Sequence, residues 1–183
     1  MDLAEKTIES TEAFSGRLLK LRVDKVQLPN GRITTREIIV HRGAVAAVPM
    51  LDNSNVILIR QFRQAAGETL LEIPAGTLDH GESAKDCVQR ELGEEIGYKS
   101  NRLTPMFSSY LAPGYSSEML HTFLAEDLEK LDEQKMEEDE FIEIVEVSLA
   151  DAIRMISDGQ IKDAKSICGL LMAQKILDSR QCT

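Results

Sequence analysis

The chain has no apolar run long enough to cross a bilayer, and no charged-then-apolar leader starts at Met1. It also lacks positive charge: 21 Lys and Arg stand against 31 Asp and Glu, a formal net charge of −10. A nucleic-acid backbone is therefore disfavoured as a partner. The three cysteines, Cys87, Cys168 and Cys182, have no paired spacing. That pattern excludes a disulfide framework or zinc site and fits reduced thiols in a cytoplasmic protein. Internal repeats and low-complexity linkers are absent as well. What is present is 183 residues, 43% hydrophobic, enough for one domain or one domain with a small appendage. An acidic protein acting on an anionic substrate needs cations as mediators.

The stretch Gly76 to Tyr98 reads GTLDHGESAKDCVQRELGEEIGY. Glu91, Glu94 and Glu95 follow Arg90, and on a helix Glu91 and Glu95 share a face, with Glu94 alongside. Val88, Leu92 and Ile96 repeat at the same spacing and form the buried stripe. Like charges at this spacing repel by about 0.2–0.5 kcal/mol in solvent and by more at the edge of a core. A hard divalent cation turns that repulsion into ligation, because carboxylate oxygens suit it. The competing reading is a solvated acidic helix face.

The preceding half of the stretch decides between the two. Gly76, then Glu82, then Arg90-Glu91-Leu92-Gly93-Glu94-Glu95-Ile96-Gly97-Tyr98 resembles the Nudix box throughout. Two positions depart from that pattern: Gly93 where a helix former is expected, and Tyr98 at the closing aliphatic position. A helix-interior glycine costs roughly 1 kcal/mol against alanine, so close packing is expected at Gly93.

Along the chain, residues up to about Phe14 are polar and are expected to fray or pair weakly. Leu18 to Leu28 and Arg32 to His41 alternate as strands around the Pro29-Asn30-Gly31 turn, a hairpin too small to stand alone. Gly43 to Leu51 and Asn55 to Phe62 read as strands joined by Asp52-Asn53-Ser54, and Leu70 to Ala75 as a short strand. Gly76 to Gly81 is then a loop, and a helix runs from the N-cap Ser83 to Ile96, closed by Gly97. Leu103 to Ala112 and Met119 to Leu124 are strand-like around Pro113 to Glu118. Glu126 to Glu140 is too acidic for a core element and reads as a loop. Phe141 to Val147 alternates as a strand, and helices over Leu149 to Ser157 and Asp163 to Leu177 close the chain. This order predicts an α/β class with a mixed sheet between helices, an α/β/α sandwich. The Nudix resemblance implies the same fold. We expect an N-terminal antiparallel β subdomain over residues 1–43 and a main domain over 44–183.

Beyond the box, RQFR at Arg60 to Arg63, LLEIPAG at Leu70 to Gly76, the PGYSSE loop and the run PNGRITTREIIVHRGAVA resemble the ADP-ribose pyrophosphatases of that superfamily. The resemblance implies hydrolysis of a nucleoside diphosphate sugar, ADP-ribose first, with GDP-mannose as the rival substrate and a non-cleaving ADP-ribose sensor as the rival class. It implies Mg²⁺ or Mn²⁺, more than one ion per site, held by the Ala75 carbonyl, Glu91, Glu94 and Glu95. Glu138 is implied as general base on the attacking water and Glu140 as a further ligand. Arg90 pairs with Glu82 to hold loop against helix, beside Gly76. Arg63 is implied to contact phosphates or terminal ribose, Arg36 to reach in from a partner subunit, and Glu72 and Glu118 to hydrogen-bond ribose or base. His80 and His121 read as structural. The resemblance further implies a homodimer, which would support the hairpin, with no nucleic-acid or membrane partner.

Overall fold

The computed structural model describes residues 2–134 and 141–181. They form two compact units, one of residues 1–43 with 109–120 and one of 44–108 with 121–183.

The first unit is a three-stranded antiparallel sheet of β1 (Lys6–Ser15), β2 (Lys20–Gln27) and β3 (Ile33–Val40), in that order. The expected hairpin is β2 and β3. The segment expected to fray or pair weakly is a ten-residue strand paired along its length, with Lys6 opposite Gln27 and Ser15 opposite Lys20. Every residue of β1 is exposed, so no hydrophobic alternation marks it. It is held by its ladder and by Asp24, a buried carboxylate that accepts from the Ser10 hydroxyl at 2.6 Å and pairs with Arg22. The segment 113–118 joins this unit through β3: Ile39 N–H donates to the Tyr115 carbonyl at 2.7 Å, and Ser117 N–H to the Ile39 carbonyl.

The second unit carries two sheets. One is antiparallel, in the order β10 (Ile142–Ser148), β5 (Asn55–Arg63), β6 (Glu68–Glu72). The other is the four-stranded mixed sheet, in the order β7 (Ala75–Thr77), β4 (Ala44–Pro49), β9 (Met119–Lys130), β8 (Tyr98–Tyr110). Strand β4 is buried along its whole length, as its unbroken apolar run requires. Val45 and Ala47 pack with Ile57 and Ile59 of β5 against Val88, Leu92 and Ile96 of the box helix. Val48 lies against α3 (Ala164–Gln181), where a Cβ on Gly169 would stand 3.2 Å from Val48 Cγ2 and 2.9 Å from Ile73 Cδ1. Helix α2 (Leu149–Ser157) packs on β10 and β5. This is the expected sandwich.

The box helix α1 (Ala84–Glu91) starts at Ser83, whose hydroxyl accepts from Asp86 N–H at 3.2 Å. It continues to Ile96 as a π turn over Leu92–Ile96, ending at Gly97 with φ 73°. Packing at Gly93 is close, as expected: a Cβ there would sit 3.3 Å from Leu131 Cδ1. Two further boundaries differ from expectation. Ala75 to Thr77 pairs with β4 as a strand, and β9 extends through Lys130 where an acidic loop was expected. Glu126 is tolerated in that strand because Arg102 and Arg180 each donate to its Oε1 at 2.8 Å.

Candidate active site

Two carboxylates from the box helix converge on β7. Ala75 N–H donates to Glu95 Oε2 at 2.9 Å, and Glu95 is only 2% exposed. The Glu91 carboxyl occupies the space over Gly76 where any side chain would begin, so a Cβ at 76 would overlap it. Glycine is thus required by close approach rather than by its backbone angle.

Arg90 gathers the remaining acids. Its Nε and Nη2 donate to the two Glu82 oxygens at 3.0 and 3.1 Å, and Nη1 donates to Glu91 Oε1 at 2.8 Å and Glu94 Oε2 at 2.9 Å. Glu82 Oε2 also accepts from Asp79 N–H, which ties the loop to the helix as expected. These bonds from Arg90 and Asp79 hold the Glu82 carboxyl down at about 2, and Glu82, with Glu91 and Glu94, raises Arg90 above its usual value. Behind this cluster Cys87 is fully buried, and burial pushes its thiol up to about 12.

Among the described residues, no three His, Cys, Asp or Glu side chains form a ready-made metal centre. Glu91 and Glu94 are turned toward Arg90, and Glu95 toward Ala75. The donor set nonetheless fits a hard cation: Glu91, Glu95 and the Ala75 backbone offer only oxygen, and the glycine at 76 leaves room for a carboxylate beside the strand.

Arg63 enters from the end of β5. Its Nε and Nη2 form a fork on Glu72 at 2.8 and 2.9 Å, and Glu95 is near enough to contribute to raising its pKa, after the Glu72 hydrogen bond. Glu72 is 2% exposed, and its second cation is Lys165 of α3. Burial opposes the Glu72 charge, but hydrogen bonds from Arg63 and the charge of Lys165 outweigh it and keep the carboxyl below its usual range. Both Glu72 oxygens therefore serve Arg63 and Lys165. Asp163, Lys165 and Ser166 carried no sequence signal beyond a helix start near Asp163. Gln134 carried none; its amide donates to the carbonyls of Glu94 and Glu95 at 3.0 and 2.8 Å, closing the π turn.

The remaining expected residues lie elsewhere. Arg36 and Glu118 belong to the first unit. Arg36 forms a fork on Glu5, Nε to Oε2 at 3.0 Å and Nη2 to Oε1 at 2.6 Å, and Glu118 lies 3.9 Å from His41 Nδ1. Glu138 and Glu140 fall outside the described residues. His121 Nδ1 is 2.8 Å from the Ser108 hydroxyl and His80 is exposed, neither touching the cluster around Arg90.

Comparison with known proteins gives the same picture. The NUDIX domain family matches residues 40–169, and the nucleoside diphosphate sugar hydrolase N-terminal domain matches residues 5–39. The chain is 43% identical over 165 residues to an ADP-ribose pyrophosphatase of Bacillus subtilis, covering 90% of this chain and 89% of the relative. It is 39% identical over 140 residues to a GDP-mannose pyrophosphatase of Yersinia enterocolitica, covering 72% and 73%. A crystal structure described as an ADP compounds hydrolase superposes with a TM-score of 0.88 at 26% identity, covering 98% of each chain.

Proposed function

The chain belongs to the Nudix family of hydrolases, and from that premise we propose that it cleaves the diphosphate of ADP-ribose to AMP and ribose 5-phosphate. The observation that carries this reading is the convergence of Glu91 and Glu95 on Ala75 and Gly76, with Arg63 anchored nearby by Glu72. The likeness to ADP-ribose pyrophosphatase over most of the chain supports the choice of sugar nucleotide.

Glu91, Glu95 and the Ala75 carbonyl would hold the divalent cation that the family uses, with Glu94 and Glu140 as further ligands and Mg²⁺ as the ion. When bound, more than one such ion would supply charge neutralisation of the diphosphate and a more acidic water. Glu138 takes the proton of the attacking water. Arg90 keeps Glu82, Glu91 and Glu94 in one array, so loop and helix present their carboxylates together. Arg63 donates to the substrate diphosphate. Glu72 acts through Arg63, since its oxygens are engaged by Arg63 and Lys165.

We assign the antiparallel β1–β2–β3 sheet to a homodimer contact. Its support is the exposure of Ile8, Phe14, Leu18, Leu19 and Ile33 in the first unit. In the dimer, Arg36 serves substrate at the neighbouring copy's site, exchanging Glu5 for phosphate, and Glu118 hydrogen-bonds ribose or base. A cytoplasmic setting agrees with Cys87 and Cys168 both being free thiols.

GDP-mannose is the second reading, favoured by the relative that cleaves it. The deciding experiment measures kcat/KM for ADP-ribose, GDP-mannose and diadenosine compounds with Mg²⁺. ADP-ribose ranks first if the proposal holds; a clear preference for GDP-mannose replaces it with the second reading.

A further inference from the structure

The segment from Glu72 to Ala75 is pinned at every residue. The Glu72 carboxylate is held by Arg63 and Lys165, and Ile73 N–H donates to the Ser166 hydroxyl at 2.8 Å. The Pro74 carbonyl accepts from Ala47 N–H at 2.9 Å, and Ala75 N–H donates to Glu95. Two of these holds come from the first turn of α3. Asp163 caps that turn, accepting from Ser166 N–H at 2.9 Å, and also pairs with Lys165 Nζ at 3.0 Å.

Lys165 is 11% exposed, so it cannot serve as a surface counter-ion, and it shares Glu72 Oε2 with Arg63 Nη2. Arg63 gives Nε and Nη2 to Glu72, which leaves Nη1 without a partner among the described residues and the side chain 38% exposed. The geometry points to Lys165 as a positioning residue of the site: by sharing Glu72 it fixes the Arg63 guanidinium with Nη1 presented to an anionic diphosphate. The inference rests on the hydrolase reading above and adds a residue to it.

Charge counting gives the expected direction. Arg63 and Lys165 balance Glu72 and Asp163, so removing Lys165 leaves one uncompensated negative charge beside the anion's place. Glu72 then draws Arg63 fully onto itself. Ground-state binding suffers more than the chemical step.

The test uses whichever nucleoside diphosphate sugar the wild type turns over fastest with Mg²⁺, so an error in the choice of ADP-ribose shows in the wild type alone. If none is turned over, the hydrolase reading fails, and calorimetric Kd for ADP-ribose replaces KM in the comparison. Lys165→Met should raise KM or Kd by about tenfold while kcat stays within about threefold. Lys165→Arg should restore binding to within about threefold of wild type. Glu72→Gln, which takes away the carboxylate that Arg63 and Lys165 share, should raise KM or Kd at least as much as Lys165→Met. Circular dichroism and Tm accompany each variant; if Lys165→Met does not fold, Lys165→Gln takes its place. An unchanged KM in a folded variant, a loss confined to kcat, or a folded Glu72→Gln variant that binds as wild type would overturn the inference.

Discussion

Glu95 has only its carboxylate oxygens to offer, and the Ala75 N–H already fixes where one of them sits. Glu95→Gln keeps that acceptor and removes the charge, so Tm should stay within a few degrees while kcat falls. Glu138→Gln should lower kcat by about 10²–10⁴-fold, as expected for loss of a general base; steady-state kinetics with Mg²⁺ checks both, and a fully active Glu138→Gln would reassign the base. Glu82 titrates near 2 in the folded protein against an ordinary 4.5, so its pairing with Arg90 stabilises fully above pH 4.5 and is lost as pH falls toward 2. Glu82→Gln should therefore be less stable than wild type at pH 7, and the gap should close on acidification when Tm is followed against pH. The glutamates of the box were legible because Gly76 and Glu82, spaced ahead of Arg90, decided what three like charges on one helix face left open. Lys165 and Ser166 were not. Nothing in a helix start 93 residues downstream announces that it grips Glu72 and Ile73.

Elements show the same division. The box helix was readable from its apolar stripe and its cap, and Ser83→Ala should cost about 1 kcal/mol. At this chain length that is a fall in Tm of about 2–4 °C, measurable by calorimetry. Strand β1 was unreadable because all its residues face solvent and its cohesion lies in the ladder to β2. The end of β9 was misread for a different reason. Glu126 looks like loop composition until Arg102 and Arg180, 24 and 54 residues away, bring their guanidinium groups to it. The π turn at Leu92 to Ile96 likewise depends on Gln134, which reaches the Glu94 and Glu95 carbonyls from the far side of β9 in sequence.

At the scale of the whole molecule, the sheet of the first unit leaves Ile8, Phe14, Leu19 and Ile33 in water while the second unit buries its own core. Light scattering should give twice the monomer mass, and Phe14→Lys with Ile33→Glu should shift it toward monomer. Mixing an Arg36→Ala chain with a Glu95→Gln chain, each impaired alone, should restore part of the activity if Arg36 serves the partner's site.

Gly169 bears on how such an enzyme changes over generations. It sits on the side of α3 that presses Ile73 and Val48, with no room for a methyl group. Ile73 lies between Glu72 and the strand that carries Ala75. A codon change at 169 is therefore felt one residue away from the Arg63 anchor, although nothing at 169 meets substrate. Along the inner ridge of α3, lineages of this fold inherit a restraint that a survey of substrate contacts alone would overlook.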